Sequence, residues 1–181
     1  MKVGDRNVFR EYVSVHTATG DGDSTVIGND NYILAFTHIG HDSSLGNCNV
    51  LSAKIAIAGH VKIGNHTNIG GHASIHQFCR IGDYAMLGAH SYLKKDLAPF
   101  LLACGNPAVA KSFNRVGMAR KGFREDERNI VNHIFKYLYN ANLNRSQALE
   151  KIQSEFEADK YPRIAEIFWS FVRQSSVRGL L

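Results

Sequence analysis

The sequence predicts a chain that is mainly β and then α. Its first 98 residues read as a left-handed parallel β-helix of hexapeptide repeats. Residues 99–116 read as an irregular connection and 117–181 as a C-terminal helical domain. Three observations carry this. Large aliphatic side chains recur every six positions through the first half, proline is absent there, and helical spacing takes over after Pro99 and Pro107.

The six-residue count starts at Val3 and runs to Leu93. Fifteen of its sixteen positions are apolar, and the twelve from Ile27 to Leu93 are all Ile or Leu. A period of six fits neither an amphipathic helix nor an alternating strand. It fits a coil in which each short strand sends one aliphatic side chain into a central stack, three strands closing a turn of about 18 residues. Small residues such as Gly28, Gly40, Gly46, Gly64 and Gly70 follow the aliphatic ones, as tight corners would require. Strand ladders need every N–H, which explains the missing proline. The exception, Asp21, lies in "HTATGDGDS", a loop expected to bulge out without breaking phase. The rhythm begins at residue 3 with no cap ahead of it, and an open coil end exposes apolar surface and strand edges. Further coils, or another covering, are expected there.

Beyond residue 98 the apolar positions follow helical spacing. Ile130, Val131, Ile134, Phe135 and Leu138 share one face, Leu149, Ile152 and Phe156 a second, and Ile164, Ile167, Phe168, Phe171 and Val172 a third. Three helices are expected.

Composition narrows the class. The 181 residues are 44% hydrophobic and 20% charged, enough for one ordinary core. No apolar run reaches the roughly 18 residues of a membrane span, so no stable membrane insertion is expected. "MKVGDRNVFREY" lacks the apolar stretch of a signal peptide. Cys48, Cys79 and Cys104 are scattered without a CxxC pair, which fits a reducing, cytoplasmic setting. The net charge of +5 is uneven: residues 1–94 carry seven Lys/Arg against seven Asp/Glu, and 95–181 carry fourteen against nine. A basic second half suits an anionic partner.

In a coil of about 18 residues, positions 18 apart stack near the strand spacing of about 4.8 Å. His41 and His60 are 19 apart, and His60 and His76 are 16 apart. These three should share one corner of successive coils, with His38 and Gln77 close by. His66, His72 and His90 are expected to be ordinary surface residues of the turns. A metal is not expected: β-helical carbonic anhydrases need one histidine pair two coils apart and another five residues apart, and no two histidines here are 36 or five apart. A general base fits better, since histidine titrates near neutral pH. Asp42 adjoins His41 as an orienting partner. Gly59, just before His60, could offer its N–H to a developing oxyanion. No Ser or Cys sits in a nucleophile elbow, so direct transfer without a covalent enzyme intermediate is favoured.

The blocks "THIGHDSSLGN", "IAGHVKIGN", "IGGHASIHQFCRIGDYAMLGAHS", "GNPA", "NRVGMARKGF" and "SSVRGLL" resemble the UDP-N-acetylglucosamine acyltransferase family, over essentially the whole chain. The resemblance implies transfer of an (R)-3-hydroxyacyl group from acyl carrier protein to the 3-hydroxyl of UDP-N-acetylglucosamine, the first step of lipid A biosynthesis, without a cofactor. It implies that His41 is the general base, Asp42 its orienting neighbour and Gly59 the oxyanion donor. His38, His60, His76 and Gln77 match substrate contacts. Asn114, Arg120 and Lys121 match residues that hold the nucleotide, Lys121 standing where the family has a second arginine. Ala89 matches the residue that ends the acyl pocket. The family is a homotrimer with sites between chains, and acidic acyl carrier protein gives the basic half a partner. Nucleic acid is not implied. Two other readings stay open: a CoA-dependent hexapeptide acetyltransferase, and a catalytically impaired, truncated nucleotide-sugar-binding module.

Overall fold

The computed structural model describes residues 1–139 and 141–181. The hexads fold into fifteen strands of two residues each, and the second residue of each is the apolar one of the six-residue count, Ile, Leu or Val in all but β2, where it is Phe9. They lie on three faces. The first holds β1 (Lys2–Val3), β4 (Val26–Ile27), β7 (Ser44–Leu45), β10 (Lys62–Ile63) and β13 (Arg80–Ile81). The second holds β2 (Val8–Phe9), β5 (Tyr32–Ile33), β8 (Val50–Leu51), β11 (Asn68–Ile69) and β14 (Met86–Leu87). The third holds β3 (Ser14–Val15), β6 (His38–Ile39), β9 (Ala56–Ile57), β12 (Ser74–Ile75) and β15 (Tyr92–Leu93). All neighbours on these faces pair in parallel with each counted apolar residue against the next, as Phe9 against Ile33, Ile39 against Ile57 and Ile57 against Ile75.

From Ile27 onward the stacked Ile and Leu side chains are at most 4% exposed. Burying each contributes about 1.5–3 kcal/mol. Val3 and Phe9, at the open end of the stack, remain exposed. Val26 pairs with Ser44, 18 residues on, but Lys2 pairs with Val26, 24 residues on. Six extra residues therefore loop out between β3 and β4. Phase survives because the insertion equals one hexad, as the sequence suggests for the stretch around Asp21.

The reason for the glycines differs from the expected one. Gly28, Gly40, Gly46, Gly64 and Gly70 are not among the residues with positive φ. The left-handed residue of a corner comes three positions after the aliphatic one and is not glycine: Asp42, His60, His66 and Phe78 have φ from 57 to 67°. The glycines are small for lack of space. A Cβ on Gly40 would stand 2.6 Å from the carbonyl carbon of Ala58, and one on Gly70 would stand 2.4 Å from the amide nitrogen of Ala89.

Residues 99–116 are more ordered than expected. β16 (Leu101–Gly105) pairs parallel with β14 and antiparallel with β17 (Ala108–Phe113). This hairpin buries Leu101 and Ala103 over the end of the coil stack. Among the described residues four helices follow where three were expected: α1 (Arg115–Arg120), α2 (Glu125–Tyr139), α3 (Arg145–Glu155) and α4 (Pro162–Arg173). The extra one, α1, is a six-residue turn with a single buried side chain, Met118, too short to carry a periodic signal. Met118, Val131, Ile134, Ile152, Ile164 and Phe168 form a second core that includes Tyr84 of the coil domain and Phe100 of the connection. Asn144 starts α3 with a capping box to Gln147. The helical domain is also pinned by charge. Arg80 Nε donates to Asp96 Oδ2 at 2.7 Å, with side chains 9% and 0% exposed, and Arg80 Nη1 donates to the Phe171 carbonyl.

Candidate functional site

At the corners where the chain leaves the third face for the first, His41–Asp42, Gly59–His60 and Gln77–Phe78 stack in register. The His60 N–H donates to the His41 carbonyl at 2.9 Å, and the Phe78 N–H to the Gly59 carbonyl at 3.3 Å. The near-18 spacing read from the sequence therefore becomes proximity, with one refinement. His41 stands over Gly59, and His60 stands over Asp42.

Asp42 adopts the left-handed conformation, φ 60°, which turns its side chain back along its own coil. There Oδ2 lies 2.8 Å from His41 Nδ1. The carboxylate is only 7% exposed and carries further donors: the Thr19 N–H at 3.2 Å and its hydroxyl at 2.8 Å. These hold its pKa below the usual aspartate value, the His41 hydrogen bond first and the Thr19 hydroxyl next. Because Asp42 is a carboxylate acceptor, His41 Nδ1 carries the hydrogen and Nε2 is left free to accept one. Nε2 lies directly over Gly59, where an added Cβ would come within 2.6 Å of it. Among the described residues no carbonyl takes the Gly59 N–H. The corner thus offers a proton acceptor and a bare N–H donor side by side.

His60 completes the cluster. Its ring meets His41 edge-on at 5.2 Å and stacks on Phe78 at 4.9 Å. His60 Nε2 is 3.8 Å from Asp42 Oδ2. His41, Asp42 and His60 are close enough to share a metal, their ligand atoms lying within 4.8 Å of one another. The Asp42 carboxylate is already engaged by His41 and Thr19.

His38 and His76 lie beside this corner on the third face. The outward residues there run His38, Ala56, Ser74, Tyr92. Two small side chains between two large ones make a trough of about 350 Å³, with His76 and Gln77 at one end. His38 Nδ1 contacts the Ser14 hydroxyl at 2.9 Å. Burial first, and the neighbouring His16 second, lower its pKa. The four histidines and Gln77 therefore form two adjoining groups, a corner and a trough.

Four predicted residues lie elsewhere. Asn114, Arg120 and Lys121 line a cleft of about 530 Å³ on the second face, with Val50, Asn68 and His66. Asn114 is almost fully buried and its amide serves the fold. Oδ1 accepts from the Gly117 N–H at 3.1 Å, capping α1, and Nδ2 donates to the Tyr84 carbonyl at 2.9 Å. Arg120 and Lys121 remain exposed. Ala89 is exposed at the corner between the second and third faces, apart from the trough lining.

His66 is not the plain surface residue expected. It stacks on Tyr84 at 4.8 Å, and its Nδ1 is buried without a partner. Burial is the first cause of its lowered pKa and the nearby Lys121 the second. His72 and His90 are exposed, as expected, though stacked on each other at 4.6 Å.

Sequence reasoning missed His16, Thr19 and Arg178. His16 meets His38 edge-on at 4.5 Å. Once the six-residue insertion is counted, the 24-residue offset places both His16 and Thr19 at this corner, so the irregular hexad was the usable signal. Arg178 reaches His76 and the Gln77 carbonyl from the last turn of the chain. Nothing in local pattern announces that contact.

Comparison with known proteins gives the family. The family profile described as "Bacterial transferase hexapeptide (six repeats)" matches residues 56–95. That described as "Udp N-acetylglucosamine O-acyltransferase; Domain 2" matches residues 96–181. The chain is 46% identical to the acyl-[acyl-carrier-protein]--UDP-N-acetylglucosamine O-acyltransferase of Azotobacter vinelandii, covering 98% of this chain and 68% of that one. The chain belongs to the UDP-N-acetylglucosamine O-acyltransferase family. The Pseudomonas fluorescens Pf-5 member is 37% identical with the same coverage. Among solved structures, the UDP-N-acetylglucosamine O-acyltransferase of Moraxella catarrhalis superimposes with a TM-score of 0.89 at 39% identity, covering 98% of this chain and 68% of that one. This acyltransferase thus spans about two thirds of the length of these relatives. No described helix is long and apolar enough to cross a membrane.

Proposed function

We propose that this acyltransferase moves an (R)-3-hydroxyacyl group from the thiol of acyl carrier protein to the 3-hydroxyl of UDP-N-acetylglucosamine, with His41 as general base. The observation that carries the proposal is the His41–Asp42 pair lying over the open Gly59 N–H. His41 Nε2 takes the proton of the sugar hydroxyl as its oxygen attacks the thioester carbonyl. The imidazolium that forms is stabilised by Asp42, a carboxylate held ionised by its own donors. Negative charge gathers on the carbonyl oxygen, where the Gly59 N–H can meet it. Collapse of the tetrahedral intermediate breaks the C–S bond and expels the carrier thiolate, which takes from His41 the proton that the sugar hydroxyl gave up. No bond to the enzyme forms.

The trough between His38 and Tyr92 suits the extended acyl donor, lined by Ala56 and Ser74 with His76 and Gln77 at its end. Arg120 and Lys121 suit the diphosphate, Lys121 as a point charge in place of a planar fork. The cleft that holds them opens on the second face, whereas His41 stands at the corner between the third and first. Two faces of one prism cannot close on one small molecule, so the substrate is shared between copies, in keeping with a homotrimer. The basic C-terminal half then meets the acidic carrier protein. The family match favours carrier protein over CoA as donor, and assay of both thioesters with UDP-N-acetylglucosamine separates them.

The test is His41→Ala. Turnover is expected to fall by about 10²–10⁴ with the circular dichroism spectrum and oligomer unchanged. Undiminished turnover removes His41 from the mechanism.

A further inference from the structure

Arg178 stands 102 residues from His76 in sequence, yet its guanidinium Nη2 contacts His76 Nδ1, and its Nε donates to the Gln77 carbonyl at 2.9 Å. We propose that Arg178 is a positioning residue of the active site, which fixes the tautomer and orientation of His76 at the end of the trough. The proposal rests on the trough being a substrate site.

The argument begins with how the tail is held. Asp96 is wholly buried and paired with Arg80. The chain end is stitched to this anchor on both sides of Arg178. Ser176 Oγ donates to Asp96 Oδ2 at 2.6 Å. The Asp96 N–H donates to the Gly179 carbonyl at 2.8 Å, and the Leu181 N–H to the Asp96 carbonyl at 2.9 Å. Between these ties the backbone turns through Gly179, in the left-handed region at φ 70°. The Arg178 side chain is thereby delivered from a fixed base to the end of the trough.

The chemistry follows from what a guanidinium can do. It has donors and no acceptor. Nη2 lies closer to His76 Nδ1 than to Nε2, from which it is 3.4 Å, so Nδ1 is the accepting nitrogen, and in the neutral ring the hydrogen sits on Nε2. The Gln77 carbonyl, 3.1 Å from Nδ1, would otherwise favour the opposite tautomer by taking a hydrogen from that nitrogen. Arg178 satisfies carbonyl and ring together and removes that option. His76 is then left with an Nε2–H donor to present to a substrate oxygen.

The test joins a spectroscopic and a kinetic readout. Imidazole ¹⁵N shifts of His76, measured on this chain, are expected to report the Nε2–H tautomer in the wild type. Arg178→Ala is expected to admit the Nδ1–H form, and Arg178→Lys, which still donates, to restore part of the original state. Arg178→Ala should lower kcat/KM about tenfold, and less than about twofold when His76 is already alanine. An unchanged tautomer in Arg178→Ala, or equal losses in the two backgrounds, overturns the proposal. A tautomer that follows Arg178 while turnover ignores both residues supports the positioning and overturns the reading of the trough.

Discussion

Gly59→Ala isolates the packing of the base against its neighbouring coil. The added Cβ would stand 2.6 Å from both Cε1 and Nε2 of His41 and 3.1 Å from Cδ2. Ordinary carbon contacts lie at about 3.5–4.0 Å, so the ring must retreat by about 1 Å. It cannot do so and keep its 2.8 Å bond to Asp42. A misplacement of about 1 Å in a catalytic group costs about 10²-fold, or about 2.7 kcal/mol of barrier. Stability should change little, because the His41 side chain is 36% exposed and can swing toward solvent. Gly59 also lies outside the positive-φ residues, so alanine suits its backbone. Gly70→Ala is the contrasting control: its Cβ would strike the backbone of Ala89 at 2.4 Å, which cannot swing away. Turnover measured by product mass spectrometry, beside thermal melts, should show Gly59→Ala slow and stable and Gly70→Ala unstable. A Gly59→Ala protein with full turnover refutes the proposed placement of the base.

Three further expectations follow from the same coordinates. Cys79 is buried beside Asp96, and burial first and that charge second push its thiol up to about 12. It should resist iodoacetamide at pH 8 in the native protein while half-buried Cys48 and Cys104 react, and rapid labelling of Cys79 would show that this corner opens. Asp96→Ala leaves the Arg80 guanidinium buried without its partner, at a cost of about 3–5 kcal/mol, read as a lower urea midpoint. A shift below about 1 kcal/mol would mean that the pair anchors nothing. Finally, the folded pKa of His38 is lowered, so below the ordinary value near 6.5 the unfolded chain takes up the proton first. Stability from this group is present above that value and is lost as pH falls through the window beneath it. An NMR titration midpoint at or above the ordinary histidine value would contradict the burial assigned to the ring.

The six-residue rhythm determined most of the coil domain by itself. A large aliphatic residue that recurs every six positions is buried when three short strands close each turn and stack in parallel ladders, and the count placed all fifteen strands. It also brought His41, Asp42, Gly59 and His60 to one corner, because in a solenoid contour distance and spatial distance are tied together. The tie fails wherever the chain departs from the repeat. The insertion hid His16 and Thr19, the end hairpin was read as irregular, and α1 was too short to signal itself. Resemblance put Asn114 beside substrate, and tertiary structure added that both ends of its amide also serve the fold. It also set Ala89 and the Arg120–Lys121 pair away from the His41 corner. Arg178 is the extreme case. Its position depends on a buried aspartate 82 residues earlier in the chain, and no local periodicity encodes a contact made only after two cores have formed and docked.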